Sequence, residues 1–566
     1  MKQEPVMPMF EDAYRLVIKR NLRRTVQLAL LLTLISLGSV AASALLMKII
    51  DDVVPSCSGA LLLRTVLLYV AISVLQSIVS YCCGMANTRL LLESSNALKF
   101  DLLHCIFRRD GAYFAANSRG EIYNSIENDS SKFCAFVISN FSTVFMTITS
   151  LLISLVYLGI LEWKLLVLIL LLQPTVLIFQ AVMRPRIIRI SEKSRAFSAE
   201  YDTLSQEIVS DPAELILSGQ AQKMMRNYKN KTAHLIKLGI ESSAIELFSA
   251  NTGEFLNAIT LCCVIGYSGW SIIKGTMSIG ELIVFINYSQ KIVDNIGKLL
   301  DFSIDVSGIT PVYRKISTLI HAELPEKQQN PAISETPVLE AAHLDFSYDD
   351  GKTMIFSDFS YRFRFGGSYG IIGKTGAGKS TVARLIYGLW APQNGSLTVD
   401  GIPCCEIAYP DMDKTVTYVS SSPLILNDTL RSNLTMFDPE ITDEQIWTAL
   451  RKMQLAEFFR QTEHQLDTRI GESGLRLSAG QRQRIALARS LLSGRKIIIL
   501  DEPTAALDAE TAQHVSDVLY DSFSDRTLII ITHNQDILHR CDAVLRIENG
   551  TVSETKIYEK IKGVAS

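Results

Sequence analysis

Gly373-Lys374-Thr375-Gly376-Ala377-Gly378-Lys379-Ser380 follows the apolar run Tyr369-Gly370-Ile371-Ile372. An apolar strand that enters a glycine-rich turn and leaves as a helix aims successive backbone N–H groups at one point, which suits a phosphate. The glycines let the backbone close around the anion. Lys379 then reaches the β- and γ-phosphates, and the Ser380 hydroxyl can ligand Mg2+.

Further along, Ile497-Ile498-Ile499-Leu500 runs into Asp501-Glu502, a buried-strand pattern ending in two carboxylates. The first carboxylate can hold Mg2+, and the second can orient a water against a γ-phosphate. A second apolar strand, 528–531, ends at Thr532-His533 and presents an imidazole at a strand's carboxyl edge. Between these lies Leu477-Ser478-Ala479-Gly480-Gln481, followed by a helical run from Arg482. A serine at a helix N-terminus is another anion site, and one chain cannot easily aim it at its own P-loop nucleotide.

The part preceding the P-loop is of a different kind. The chain has 566 residues, of which 48% are hydrophobic, and its mean hydropathy of +0.21 is too high for an ordinary soluble enzyme. Its net charge of −3 gives no pull toward nucleic acid. Apolar runs near the roughly 20 residues that cross a bilayer are expected at 26–47, 61–86, 136–161, 165–183, 248–273 and 279–304. The third and fourth form a hairpin broken at Glu162-Trp163-Lys164. Lys19, Arg20, Arg23 and Arg24 precede the first pass; Arg89, Lys99, Arg108 and Arg109 follow the second; Arg184, Arg186, Arg189 and Lys193 follow the fourth. By the positive-inside rule both termini are cytosolic, and no removable signal peptide is expected. The inner connections, 87–134 and 185–247, mix charge with apolar residues at helical spacing, so helices reaching on the order of 35 Å into the cytosol are expected. The ten cysteines, three pairs of them adjacent, read as small buried apolar residues.

With its motifs in this order, the chain resembles the half-size ABC transporters of the exporter type, along essentially its whole length. The resemblance implies an all-α six-helix transmembrane domain followed by an α/β P-loop NTPase domain with a helical subdomain. The expected divisions are a cytosolic segment 1–25, a membrane domain 26–308, a linker 309–337 and a nucleotide-binding domain 338–566. ATP and Mg2+ are the implied cofactors. Tyr348 stands where an aromatic stacks on adenine. Gly373, Lys374, Thr375, Gly376, Ala377, Gly378, Lys379, Ser380 and Thr381 match the Walker A loop. Ser380 and Asp501 are the expected Mg2+ ligands, Glu502 the catalytic carboxylate and His533 the switch histidine. Asp508 corresponds to the D-loop aspartate. Ser478, Gly480 and Gln481 belong to the signature that faces a partner's ATP. Gly471-Glu472-Ser473-Gly474 and the segments 112–120 and 210–219 fall where the family's domain-coupling loops lie.

The informative departure from the family, beside milder ones at Ala479 and Ala505, is at Ser421, in Tyr418-Val419-Ser420-Ser421-Ser422-Pro423, where a glutamine usually contacts Mg2+ and the attacking water. A serine has a shorter reach and one hydroxyl in place of an amide. With Glu502 and His533 present, hydrolysis with altered coupling is expected. The implied partners are a second half-transporter, with a homodimer preferred over a heterodimer, membrane lipid, and a transported small molecule, lipid or peptide; no nucleic acid is implied. The implied location is a bacterial inner membrane. Ionisable residues inside a pass mark a substrate path, which makes Asn287, Gln290, Lys291 and Asp294 in the sixth pass its candidates. Lys291 and Asp294, three apart, could instead pair with each other. An exporter of hydrophobic, amphipathic or peptide-like cargo is the leading expectation. An exporter-fold importer and an ATP-binding regulatory half are the alternatives.

Overall fold

A computed structural model describes residues 6–210, 212–322, 327–349, 353–374, 376–471 and 475–555. They divide into two compact units, residues 1–103 with 123–321, and residues 104–122 with 322–566.

The first unit is helical because its apolar runs are long and carry few helix breakers. Its long helices are Leu22–Lys48, Gly59–Ile106, Ser130–Ser210, Ala221–Ile273 and Ile279–Ile320, and together they cover all six expected passes. Among the described residues, four helical stretches are long and apolar enough to cross a membrane: Met7–Val53, Gly59–Ile106, Arg119–Leu172 and Ala221–Ile273. Gly59–Ile106 and Ala221–Ile273 exceed the bilayer's requirement of about 20 residues, so the inner connections continue the passes as helix. The hairpin break falls at Glu162, which leaves helical geometry at φ −155° and ψ 95°. Around that break Leu158, Leu165 and Ile169 pack with Val264, Phe285 and Tyr288 in the helical core. Of the adjacent cysteines, Cys82, Cys262 and Cys263 lie exposed on helix faces rather than buried, while Cys83 and Cys404 are buried.

Two polar ties fix the ends of the helix Ile279–Ile320. At one end the Asp51 carboxylate accepts from Ser278 Oγ at 2.6 Å and from Gly280 N at 2.8 Å. A Cβ on Gly280 would stand 2.4 Å from that carboxylate, so only glycine admits the contact. At the other end Asp12 accepts from Tyr313 OH at 2.7 Å and meets His321 Nε2 at 2.7 Å. Ile309, Tyr313, Ile316 and Leu319 are buried at helical spacing, so the helix runs on to Ile320, inside the span expected to be linker. The N-terminal segment is likewise joined to the helical unit through Asp12 instead of standing apart.

Among its described residues the second unit contains ten strands: β1 (Leu339–Ser347), β2 (Met354–Phe363), β3 (Ser368–Gly373), β4 (Asn394–Val399), β5 (Ile402–Pro403), β6 (Val416–Val419), β7 (Ile497–Asp501), β8 (Thr527–Ile531), β9 (Ala543–Glu548) and β10 (Thr551–Thr555). They form an antiparallel sheet in the order β2-β1-β4-β5 and a six-stranded sheet in the order β10-β9-β3-β8-β7-β6. In the larger sheet every pairing from β9 to β6 is parallel. Strands β7 and β8 are buried at every position, which is why they read as unbroken apolar runs. Leu430–Thr435, Asp443–Lys452 and Ala456–Arg460 pack with Ala479–Leu492 in a second, mostly helical core.

Residues 104–122, which include the expected coupling segment 112–120, group with this second unit. The reason is a set of specific bonds. The helix Gly111–Ala116 is capped by Asp110, whose carboxylate accepts from Tyr113 N at 3.1 Å. Gly111 N donates to Leu389 O at 2.6 Å, and Tyr409 OH donates to Arg109 O at 2.9 Å. A Cβ on Gly111 would stand 2.1 Å from Trp390 Nε1.

Candidate nucleotide site

The site is assembled at the carboxyl ends of β3, β7 and β8. From β3 the chain turns through Gly376 at φ 84° and Gly378 at φ 96° into the helix Lys379–Ile386. Both φ values lie where a side chain is strained. A Cβ on Gly378 would also strike Ile355 at 2.3 Å, and one on Gly373 would strike the Ile547 carbonyl at 2.6 Å. The helix starts without a side-chain cap, so its first amides remain for an anion. Lys374 and Ala377 lie on this turn, and Thr381 is buried in the first turn of the helix; Thr375 lies outside the described residues.

Parallel pairing of β7 with β8, and of β8 with β3, brings the chemistry together. Ser380 Oγ donates to Asp501 Oδ2 at 2.6 Å. Lys379 Nζ donates to Gly373 O at 2.6 Å and lies 3.1 Å from His533 Nε2. His533 Nε2 stands 3.9 Å from Glu502 Oε1. Burial pushes the Lys379 ammonium below its ordinary range, while the Glu502 and Asp501 carboxylates pull it back. Burial pushes the Glu502 carboxyl above the usual range, opposed by His533 and Lys379. A raised carboxyl accepts a proton more readily, which suits a general base. Glu502 also sits at φ 52°, with its N–H held by Ile531 O at 2.8 Å. A non-glycine residue in that region is strained and persists only where its surroundings fix it.

On the opposite wall Tyr348 OH lies 2.9 Å from Thr381 Oγ1. Its ring meets Trp390 edge-on, with centroids 4.8 Å apart, and remains 39% exposed, so a planar base can reach it. Trp390 in turn lies against Gly111, linking this wall to the helix Gly111–Ala116.

Tyr418 escaped the sequence reading. Its hydroxyl donates to Asp501 Oδ2 at 3.0 Å, the same oxygen that accepts from Ser380. Burial and the Asp501 carboxylate push its phenol up. The signal was weak: a tyrosine in a short strand, brought to Asp501 only because β6 pairs in parallel with β7. Ser421 stands in an exposed bend just beyond β6. The oxygen donors of Ser380 and Asp501 fit a hard cation such as Mg2+.

The signature residues do not join this cluster. Ser478 caps the helix Ala479–Leu492 with a reciprocal box, Gln481 N donating to Ser478 Oγ at 3.2 Å and Ser478 N donating to Gln481 Oε1 at 2.8 Å. Gly480 packs where a Cβ would stand 2.8 Å from Ala506 O. Asp508 caps the helix Ala509–Ser522 through Thr511 N at 3.0 Å, and that bond holds its carboxyl below the ordinary range. A groove of about 620 Å3 opens beside the signature turn, lined by Pro423, Ile425, Gly471, Arg476, Leu477 and Arg482. Residues 472–474 lie outside the described residues.

Comparison with known proteins agrees with this geometry. Residues 356–505 match the family model of the ABC transporter, and residues 27–295 match that of the ABC transporter transmembrane region. The chain therefore belongs to the ABC transporters, with a helical transmembrane domain fused ahead of one ATP-binding domain, in the half-size exporter arrangement. The multidrug resistance ABC transporter ATP-binding and permease protein of Lactococcus lactis subsp. lactis is 24% identical over 499 residues, 88% of this chain and 84% of the relative. ATP-dependent lipid A-core flippase 1 of Colwellia psychrerythraea is 24% identical over 489 residues, 84% of this chain and 81% of the relative. The solved structure of a bacterial Atm1-family ABC exporter with ATP bound shares the fold at a TM-score of 0.79 and 18% identity, covering 96% of each chain.

Proposed function

We propose that two copies of this chain form an ATP-hydrolysing exporter of amphipathic cargo in a bacterial inner membrane, with both termini cytosolic. The observation that carries the reading is the convergence of Ser380, Asp501, Lys379, Glu502 and His533 within hydrogen-bond range of one another or nearly so. Lys379 and the P-loop amides bind and orient the phosphates. Glu502, its carboxyl raised by burial, takes a proton from the attacking water, and His533 holds Glu502 in position. Ser380 and Asp501 would hold Mg2+, whose charge offsets that developing on the phosphoryl oxygens when it is bound.

Dimerisation is supported by what the P-loop cluster lacks. Ser478 stands apart from it as a second anion-binding turn, and Ile216 and Leu217 on the short helix Pro212–Leu217 are 68% and 87% exposed. A nucleotide between Lys379 of one copy and Ser478 of the other favours the closed pair. Shifting the population from about 1:99 to 99:1 requires about 5.5 kcal/mol of such preference.

The test is ATPase activity of the purified chain alone in proteoliposomes, beside its Glu502→Gln variant. Turnover that is lost in the variant, with ATP now trapping a closed dimer, supports the reading. Undiminished turnover in Glu502→Gln removes the catalytic assignment. No turnover in either protein points to a different partner half, the reading that Ser421 favours.

A further inference from the structure

Positions 287, 290, 291 and 294 share one face of the helix Ile279–Ile320. Asn287, Gln290 and Asp294 are exposed and Lys291 is half-buried. The adjoining face, with Val284, Phe285, Tyr288 and Ile292, packs into the helical core. A polar stripe on a membrane-spanning helix is costly against lipid tails, so it belongs to a watery cavity or a protein neighbour.

The two charges of the stripe do not neutralise each other. Gln290 Nε2 donates to Asp294 Oδ1 at 3.0 Å. Lys291 turns the other way: its ammonium donates to Ser39 Oγ at 2.8 Å and lies 4.7 Å from the centre of the Tyr288 ring. An ammonium has three donors, and among the described residues none of the groups that meet this one is an anion. Nearby, the Tyr157 and Tyr288 rings meet edge to face at 5.7 Å, and both hydroxyls are buried without a hydrogen-bond partner among the described residues. Buried donors left unmade are costly. Two unmade hydroxyl donors and an ammonium with donors to spare thus stand around the Tyr288 ring, at the seam between core and polar stripe.

We propose that Lys291, with the Tyr157 and Tyr288 hydroxyls, is the anion-binding end of the cargo site and takes an amphiphile whose headgroup carries a single negative charge. The proposal rests on the exporter reading and gives it a substrate class. Asp294, about one helical turn along, repels a second negative charge on the headgroup but tolerates a cationic one. A monoanionic or zwitterionic amphiphile therefore fits, and a purely cationic one does not.

The test measures binding of a fluorescent long-chain fatty acid and of its methyl ester to the full-length protein in digalactosyldiacylglycerol nanodiscs, whose lipid headgroup is uncharged, with empty nanodiscs as the blank. The acid is expected to bind about tenfold more tightly than the ester, the scale of one charge-assisted contact. Lys291→Gln abolishes that preference, Lys291→Arg keeps it and shows that the bundle still folds, and Asp294→Asn strengthens acid binding. A preference that survives Lys291→Gln, or no preference in the wild type, overturns the proposal. Adding phosphatidylglycerol separates the sources of the anion: competition with the acid identifies a lipid headgroup, and its absence identifies a soluble amphiphile. ATPase activity is followed in parallel. Turnover without charge preference leaves the exporter reading standing and removes this site; charge preference without turnover keeps this site and removes the reading that two copies of this chain suffice for hydrolysis.

Discussion

The P-loop and the signature turn are both helix starts that attract anions, yet their polar groups are occupied differently. The helix Lys379–Ile386 begins at Gly378 with no side-chain cap; Lys379 donates to the Gly373 carbonyl and Ser380 to the Asp501 carboxylate. The helix Ala479–Leu492 is closed by its own capping box. The first turn is assembled for chemistry within one chain. The second is satisfied locally, and in the proposed dimer it contributes to the nucleotide held by the other copy. Under the proposed dimer the difference makes them two half-sites, with Ser478 serving fold stability in the lone chain and nucleotide contact in the pair.

The largest expected effect breaks the first half-site. Glu502→Gln keeps the shape of the side chain but cannot accept a proton, so ATP turnover should fall by at least about 100-fold while ATP affinity is retained. Equal loss of binding and turnover would mean that the strained position of Glu502 holds the loop together and does no proton transfer.

The second half-site is separated from its structural role by Ser478→Asp. Aspartate caps a helix as well as serine, so thermal stability should stay within about 0.5 kcal/mol of wild type. A carboxylate facing a γ-phosphate repels it, and turnover should drop by at least about tenfold. Normal turnover in that variant would show that this helix start never meets a nucleotide.

A smaller change sharpens the metal end of the first half-site. Tyr418→Phe removes the hydroxyl that orients Asp501 Oδ2 and leaves the packing of β6 intact. The Mg2+ concentration giving half-maximal turnover should rise several-fold, with saturating turnover nearly unchanged, as is usual when a group that orients a metal ligand is lost. An unaltered Mg2+ dependence would reduce Tyr418 to a packing residue.

The same contrast explains what the sequence made legible. Phosphate chemistry depends on residues adjacent in the chain, so Gly373 to Thr381, Asp501-Glu502 and His533 could be read by spacing, and the apolar strands announced the buried parallel sheet. Contacts set by pairing register or by distant docking left no such pattern. Tyr418 reaches Asp501 through strand order, and Gly111 meets Trp390, which lies about half the chain's length away in sequence. The helix ending at Ile320 was hidden because Asp12, far upstream, supplies the bonds to Tyr313 and His321. Lys291 and Asp294 share a helical face but have different partners, which spacing alone could not distinguish.

The smallest effect concerns the segment 104–122, which joins the nucleotide-binding unit beside Lys327. The Lys327 ammonium lies 3.5 Å from the centre of the Tyr409 ring and 3.4 Å from Gly388 O, while Tyr409 holds Arg109 O. Burial lowers this lysine to about 8, against weaker opposing pulls from Cys405 and Asp110. An unfolded lysine titrates near 10.4. Between about 8 and about 10.4 the unfolded chain therefore holds a proton that the folded one has released, and stability rises with pH across that window. Below about 8 both states are charged, and the full cost of burying the ammonium is present. Lys327→Met should accordingly raise the apparent unfolding midpoint of the intact protein by a few degrees at pH 7.5, and that gain should shrink by pH 9.5. Other groups titrate in the same range, so the informative quantity is the difference between variant and wild type at each pH. A difference that stays flat would mean that Lys327 keeps its charge in solvent, and that Tyr409 holds Arg109 without a buried cation behind it.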